Sequence, residues 1–448
     1  MSLFSDLPIT KKEQDAFGRT KFIDDLTNFI AKQGVESEEK KEEHRSISDN
    51  LVIGIYGPWG SGKTSVVNCV QHELNQKDFD TIYFNPWRYK DEDLLLLDLF
   101  KLIASKINKK LNGEKKELFS KVLLKYAKYI VVPKINLWGV EVDAKETVQG
   151  GLEALGDFLK EENTLDDYKD KINGFLNELD KPIVIFVDDI DRLDKHEIQL
   201  VFKTIKLTAA FSNIIYVLSF DDEMVAKSIG ENYGEGREKD GKDFIEKIIQ
   251  VPLRLPSYAS DSIFSLVISN STLMLQKDVE RNNIVLTSNK VKFGSVYNQL
   301  ITTLISTPRE AKRYSNSLNF IFDSEIDVST LDISILEVIR LKLPSTFKEI
   351  IKLNNFINSN VNDSISLISF RETLRGEMLN YATSRVNEIG IIGDALTFIF
   401  GINIVTSDFR VSEFGLGKHP DSSLEDKSKR IIDKKNFNKY LQFNKPSV

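Results

Sequence analysis

The feature that most restricts the fold of this chain is a glycine-rich loop between an apolar run and a helical pattern. The apolar run covers residues 51–56, and valines at helical spacing follow the loop. Glycines in such a loop let successive backbone N–H groups turn inward around a phosphate. The sequence therefore predicts a strand, a phosphate loop and a helix, and the residues expected to hold the phosphates are Gly57, Pro58, Trp59, Gly60, Ser61, Gly62, Lys63, Thr64 and Ser65.

Two residues of this loop have side chains suited to a nucleoside triphosphate. The Lys63 ammonium would neutralise the β- and γ-phosphates, and the Thr64 hydroxyl would bind Mg²⁺. The helix that begins here adds the positive end of its dipole. The alternative is a chance glycine-rich turn, and the strand and helix on either side argue against it.

A second set of polar residues follows the buried apolar run at residues 183–187. Asp188 would stand at the tip of a strand, where a Mg²⁺-bound nucleotide needs a carboxylate. Asp189 occupies the position of the glutamate that polarises water in the large class of NTPases with an extra strand between the two motifs. The alternative is that these acids only begin a turn.

The identity of the nucleotide base is inferred from the segment between the two motifs and from the lack of a guanine motif. A strand and several helices lie between the phosphate loop and Asp188, which suits this large class better than small GTPases. The guanine motif Asn-Lys-x-Asp does not occur in the sequence. We therefore expect ATP and Mg²⁺ as the ligands, with Lys63 and Asp189 in catalytic roles and Thr64 and Asp188 on the metal.

The order of apolar and helical patterns predicts an α/β fold. Strands alternating with helices imply a parallel sheet covered by helices on both faces. Beyond residue 256 the pattern becomes mainly helical. We predict a core over residues 1–256 with a helical insertion at about 113–179, a helical lid over 257–322, and a C-terminal partner-binding region over 323–448.

Two further sites outside these motifs are candidates for sensing the γ-phosphate. Ser219 and Asp221 follow the apolar run 214–218, and the alternative for them is a solvated strand end. Thr307, Pro308 and Glu310 are typical of a capped helix start. Arg309 within that start could swing toward the γ-phosphate from the helical domain, or it could lie on the surface.

Composition and charge indicate the partners and the location of the protein, not the reaction that it carries out. The net charge of −7 gives no global attraction to nucleic acid or acidic membranes, and a single cysteine, Cys69, excludes an internal disulfide. Residues 389–405 are apolar but contain Asp394 and three glycines. Since a span needs roughly 20 mainly apolar residues, we expect a cytoplasmic protein with no membrane span.

Six short motifs together resemble the KAP family of P-loop NTPases over about residues 10–320. The tryptophan inside the phosphate loop and the Asn-Pro-Trp-Arg-Tyr block are more specific than the loop alone. The motifs are Asp15-x-Phe17-Gly18-Arg19, Tyr56 to Thr64, Phe84-Asn85-Pro86-Trp87-Arg88-Tyr89, Asp188-Asp189-Ile190-Asp191-Arg192, Phe244 to Pro252, and Thr307-Pro308-Arg309-x-x-Lys312-Arg313.

The resemblance implies an ATPase related to AAA-type and signalling NTPases, with a helical lid after the core. It places Phe17, Gly18 and Arg19 near the adenine. It also places Trp87 and Arg88 near the nucleotide, although Trp87 could be a core residue. Many relatives carry membrane helices between the two nucleotide motifs, and this sequence lacks them. Some bacterial relatives take part in phage exclusion or defence.

Three functions remain open at this point. The first is an ATPase whose cycle drives a conformational or assembly change, with a protein partner or through self-assembly. The second is a nucleotide-bound scaffold that does not hydrolyse, which the shorter Asp189 keeps open. The third is a nucleic-acid translocase that uses the basic tail, residues 418–448. No second catalytic set is recognisable in residues 323–448, which favours partner recognition there.

Overall fold

A computed structural model of the protein describes most of the chain. The described residues are 5–39, 51–89, 92–111, 113–131, 164–231, 234, 236–258, 260–271, 293–324, 327–357, 373, 376, 404–405, 410–411 and 434–444. They form two compact units. One unit is Pro8–Pro256, and the other combines Met1–Leu7 with Ser257–Val448.

The first unit is built on a five-stranded parallel sheet, as the sequence predicts. The strands are β1 (Val52–Tyr56), β2 (Thr81–Phe84), β3 (Ile183–Val187), β4 (Ile214–Phe220) and β5 (Val251–Arg254). Their order in the sheet is β2-β3-β4-β1-β5, with every neighbouring pair parallel. Strand β4 therefore lies between the two strands that lead into the phosphate loop and Asp188.

Both faces of the sheet are buried, which explains why its central strands are continuous apolar runs. On β3, Ile183, Ile185 and Val187 face one hydrophobic cluster, whereas Val184 and Phe186 face the other. Because side chains alternate along a strand, each central strand contributes to both clusters. The predicted sheet covered on both faces is thus confirmed.

Two groups of helices cover these faces. Helices α1 (Thr20–Glu39) and α2 (Lys63–Gln76) pack on one face. The helices on the other face are α3 (Glu92–Asn108), α4 (Gly113–Val131), α5 (Leu165–Leu176), α6 (Lys195–Thr208), α7 (Asp222–Gly230) and α8 (Glu238–Glu246). Cys69 on α2 is fully buried, and this burial raises the pKa of its thiol to about 11. It is a small core residue and not a reactive thiolate.

In its described part, the second unit is mainly helical. It contains α9 (Ser260–Ser269), α10 (Phe293–Leu304), α11 (Pro308–Asp323), α12 (Thr330–Lys342), α13 (Pro344–Ile357), α14 (Lys434–Asn444) and a short antiparallel pair, β6 (Ile404–Val405) and β7 (Arg410–Val411). No helix in the described ranges is long and apolar enough to cross a membrane.

The start of α11 shows how its predicted cap is made. Thr307 is the N-cap, and its hydroxyl accepts a hydrogen bond from the N–H of Glu310 at 3.2 Å. The Glu310 carboxylate extends one residue further than a capping box requires, and it accepts from the N–H of Ser306 at 2.8 Å. The sequence pattern therefore located the helix start correctly, whereas the second cap partner is Ser306.

Several predictions fall wholly or partly outside the described residues. Of the predicted insertion, residues 132–163 are not described, and of the apolar stretch 389–405 only Ile404–Val405 is. The basic tail 418–448 is described only at 434–444, and most of the predicted partner-binding region 323–448 is likewise outside. The domain limits within the chain stay predictions.

Candidate nucleotide site

The phosphate loop connects β1 to α2 at the carboxyl edge of the sheet. Its sharp turn depends on Gly60 and Gly62, whose φ angles of 79° and 95° are in the left-handed region that side chains avoid. A Cβ on Gly62 would also come within 3.0 Å of Nη1 of Arg19. Helix α2 then begins at Lys63. Loop and helix start are therefore arranged as the sequence predicts.

Lys63 is folded back over the loop. Its Nζ donates to the carbonyl oxygen of Gly57 at 2.8 Å and to that of Pro58 at 3.3 Å. It also lies 3.4 Å from Oδ2 of Asp191. Because a flexible ammonium can exchange these acceptors for phosphate oxygens, the geometry suits its predicted role.

The residues present fit a phosphate and a magnesium ion. The Ser61 hydroxyl is buried and has no hydrogen-bond partner among the described residues, which is costly unless a ligand or water supplies one. Thr64, at the second position of α2, and the buried Asp188 offer the hydroxyl and carboxylate oxygens that Mg²⁺ prefers. Ser65 is already used, since its hydroxyl accepts from the N–H of Ile9 at 3.3 Å.

Three donors hold the Asp188 carboxylate in one orientation. The Tyr83 hydroxyl donates to Oδ2 at 3.0 Å, the N–H of Asp189 donates to Oδ1 at 3.0 Å, and the Ser219 hydroxyl also donates to Oδ1. Burial is the main cause of a raised pKa for Tyr83, which keeps its proton available for donation. The acid is therefore oriented by contacts within the protein itself.

The position of Ser219 differs from the sequence prediction. The predicted strand 214–218 continues to Phe220, so Ser219 lies inside β4 and is fully buried. A polar residue is tolerated there because Asp188 accepts its hydroxyl proton. Asp221 begins α7 instead, where its carboxylate accepts from the N–H of Met224 at 3.2 Å.

Asp189 sits on a left-handed turn, with φ of 61°. Its Oδ2 accepts from Nδ2 of Asn85 at 2.7 Å, and its Oδ1 pairs with Nε of Arg192 at 2.8 Å. Burial, and secondarily the charge of Asp188, raise the pKa of the Asp189 carboxyl, whereas Asn85 and Arg192 act to lower it. The carboxylate is thus held at the site, with each oxygen engaged by a side chain.

Two residues of the Asn-Pro-Trp-Arg-Tyr block, which follows β2, contact Asp189 or its partner Arg192. Asn85 continues β2 and contacts Asp189, and the ring of Trp87 lies 5.0 Å from the guanidinium carbon of Arg192. Trp87 is more than half exposed, so it is not a core residue. Sequence reasoning assigned no role to Asn85, because the pairing of β2 with β3 that brings it to Asp189 is not visible in the sequence.

Asp191 was also missed as a site residue. It lies on the short helical turn Ile190–Arg192 and pairs with Lys63, while its Oδ2 accepts from the N–H of Asp221 at 3.2 Å. The available signal was an acid three residues after Asp188, which a single turn brings back to the same edge.

The three residues predicted near adenine are placed as follows. Phe17 and Gly18 lie in the turn that precedes α1, and Gly18 has a φ of 70°. Arg19 is buried and donates to backbone carbonyls of Ser61 and Pro256. An adenine contact for these residues remains a prediction.

Arg309 belongs to the second unit. It is the second residue of α11, and its Nε donates to Oδ2 of Asp6 at 2.8 Å. Neighbouring Lys312 donates to the carbonyl oxygen of Ser5 at 2.9 Å. The role of Arg309 toward a γ-phosphate stays a prediction.

Comparison with known proteins agrees with the six motifs of the sequence. The model of the KAP family P-loop domain matches residues 20–323. The chain belongs to this family. The resemblance stated from the six motifs is therefore confirmed, and so is the P-loop NTPase fold.

One curated relative is the phage T7 exclusion protein of Escherichia coli (strain K12). It is 26% identical over 319 residues, which are 66% of this chain and 42% of that protein. The KAP chain thus spans less than half of the length of that relative.

Solved structures with detectable similarity include the following two. One is the ORC1 protein of Aeropyrum pernix in complex with DNA, at 14% identity and a TM-score of 0.31, covering 85% of this chain and 83% of that one. The other is Cdc6p from Pyrobaculum aerophilum, at 10% identity and a TM-score of 0.39, covering 96% and 94%.

Proposed function

We propose that this KAP protein binds ATP with Mg²⁺ at residues 57–65 and hydrolyses it. The observation that carries the proposal is the buried phosphate loop whose Ser61 hydroxyl has no partner among the described residues, next to a Lys63 ammonium held by exchangeable acceptors. Hydrolysis of this kind depends on positioning and charge neutralisation rather than on covalent catalysis.

Each side chain has a distinct task in this proposal. Lys63 neutralises the β- and γ-phosphates, and Thr64 and Asp188 hold Mg²⁺, which supplies charge neutralisation at those phosphates when bound. Asp189 accepts a proton from the attacking water. Asn85 and Arg192 fix the direction of that carboxylate, which lies beside Asp188 at the end of β3.

The test is a comparison of Lys63→Ala with Lys77→Ala. Lys77 follows the same helix, α2, at its far end, where it is exposed. We expect Lys63→Ala to abolish MgATP binding in a titration and phosphate release in a steady-state assay, while Lys77→Ala retains both. Unchanged MgATP affinity in a folded Lys63→Ala protein would remove the assignment of the loop.

We further propose that the cycle serves as a conformational or assembly switch in phage exclusion. The support is the similarity to the phage T7 exclusion protein, although this chain spans only 42% of that protein. Plating phage T7 on cells that carry the wild-type chain or Lys63→Ala tests it. Equal plaque numbers for wild type, Lys63→Ala and an empty vector would count against this role.

One observation favours a second candidate, a nucleotide-bound scaffold with negligible turnover. Both oxygens of Asp189 are engaged by Asn85 and Arg192, and its side chain is one methylene shorter than glutamate. The same phosphate-release assay separates the candidates, since a scaffold binds MgATP in the titration and releases no phosphate.

A further inference from the structure

The contacts of Arg19 differ from those of a residue that recognises a nucleotide base. Its side chain is buried, with the residue only 5% exposed. Nη1 donates to the carbonyl oxygen of Ser61 at 2.6 Å, while Nε and Nη2 donate to the carbonyl oxygen of Pro256 at 3.1 and 2.9 Å. One guanidinium therefore joins the phosphate loop to the end of the β5 segment.

The motif that contains Arg19 is shaped to deliver this side chain. The Asp15 carboxylate accepts from the N–H groups of Phe17 at 3.0 Å and of Thr20 at 3.1 Å, and also from the N–H of Arg19. Gly18 takes the left-handed conformation that the turn requires. The Asp-x-Phe-Gly-Arg sequence thus forms a turn that starts α1 and directs Arg19 at the loop.

The loop has a physical need for such a donor. When successive N–H groups turn toward a phosphate, carbonyl groups of the same loop turn away and require donors of their own. Arg19 satisfies the Ser61 carbonyl, and its Nη1 lies against Gly62. Only a planar guanidinium offers several donors in a fixed fork that reaches two carbonyls at once.

We infer that Arg19 is a positioning residue that holds the phosphate loop in its binding shape through the Ser61 and Pro256 carbonyls. Its effect on nucleotide affinity is therefore independent of the base. The predicted effect on nucleotide affinity rests on the proposed function. The predicted effect on the loop without nucleotide does not.

The first experiment needs no nucleotide. Hydrogen–deuterium exchange of the peptide that covers residues 57–64 is compared between wild type, Arg19→Lys and Lys21→Met. Lys21 lies two residues further along the chain, in the first turn of α1, and pairs with Asp25 at the surface. We expect severalfold faster exchange in Arg19→Lys only. Wild-type exchange rates in a folded Arg19→Lys protein would overturn the inference.

The second experiment measures affinity for MgATP and MgGTP. Arg19→Lys should weaken both by the same factor, roughly tenfold, as for the loss of one charge-assisted hydrogen bond. A loss of affinity confined to ATP would show a contact with the base and would overturn the inference. Unchanged affinities for both nucleotides, with only a lowered unfolding temperature, would show a purely structural role and would also overturn it.

If Arg19→Lys does not fold, Asp15→Asn is the second variant. It should give smaller changes of the same kind in exchange rate and affinity, and wild-type behaviour of Asp15→Asn would overturn the inference.

If wild type binds neither nucleotide, the proposed function fails. The exchange experiment still decides the role of Arg19 in that case, because it reports on the loop itself.

Discussion

Lys63 and Asp191 form an ion pair inside the nucleotide site, with Nζ 3.4 Å from Oδ2. Both side chains are less than a tenth exposed, at 8% and 7%. Asp191 is held in place by the N–H of Asp221. A polyphosphate bound at the loop would therefore compete with a fixed carboxylate for the same ammonium.

Asp191→Asn should increase the affinity for ATP without Mg²⁺ severalfold, up to about tenfold, because one nearby negative charge is removed. With Mg²⁺ the gain should be smaller. Asp222→Asn is the control, since its carboxylate pairs with Arg254 at 2.7 Å. Weaker binding of MgATP with unchanged binding of free ATP would identify Asp191 as a metal ligand and contradict this prediction.

Substitutions at Asp188 and at Asp189 should separate ATP binding from ATP turnover. Asp188→Ala should weaken Mg²⁺-dependent ATP binding, because it removes the carboxylate proposed to bind the metal, which Tyr83 and Ser219 orient. Asp189→Asn should retain MgATP affinity and stop phosphate release, because an amide cannot take a proton from water. Titration and phosphate release on both variants provide the check. Equal loss of MgATP binding would mean that the two roles are misassigned.

The hydrolysis rate should decrease at low pH. The midpoint of this decrease should lie above about pH 4, which is the ordinary pKa of an aspartate. Burial and Asp188 raise the pKa of Asp189. As the pH falls through this raised pKa, Asp189 takes up a proton and can no longer act as a base. The pH profile of kcat measures this acid limb.

Arg192→Met should move that limb to still higher pH, because the Arg192 charge acts to lower the pKa of Asp189. Arg254→Met is the control, since Arg254 pairs with Asp222 instead. An acid limb that stays in place in Arg192→Met would argue that Asp189 is not the titrating base.

In the second unit, Tyr440→Phe should loosen the C-terminal helix α14. The Tyr440 hydroxyl donates to Oε2 of the fully buried Glu337 at 2.8 Å. A lost hydrogen bond to a buried charge costs about 1.5–3 kcal/mol. Hydrogen exchange of Lys434–Asn444 measures the opening free energy, with exposed Asn438→Ala as the control. Equal protection in the two variants would show that this bond does not hold the helix.

The sequence by itself determined the features whose signals are local. The apolar runs located β1, β3 and β4, because a strand buried on both faces must be apolar throughout. The glycine spacing identified the phosphate loop, because a left-handed turn restricts which residues are allowed. The position of Asp188 followed from the length of the apolar run before it.

Only the tertiary structure decided which residues meet at the carboxyl edge. Asn85 reaches Asp189 across 104 residues, and Arg19 reaches Pro256 across 237. The insertion of β4 between β1 and β3 brings Ser219 to Asp188. Hydrophobic periodicity reports which face of an element is buried, but strand order is set by packing between elements distant in sequence. These long-range contacts, which help to orient the acids and hold the loop, therefore leave no local pattern.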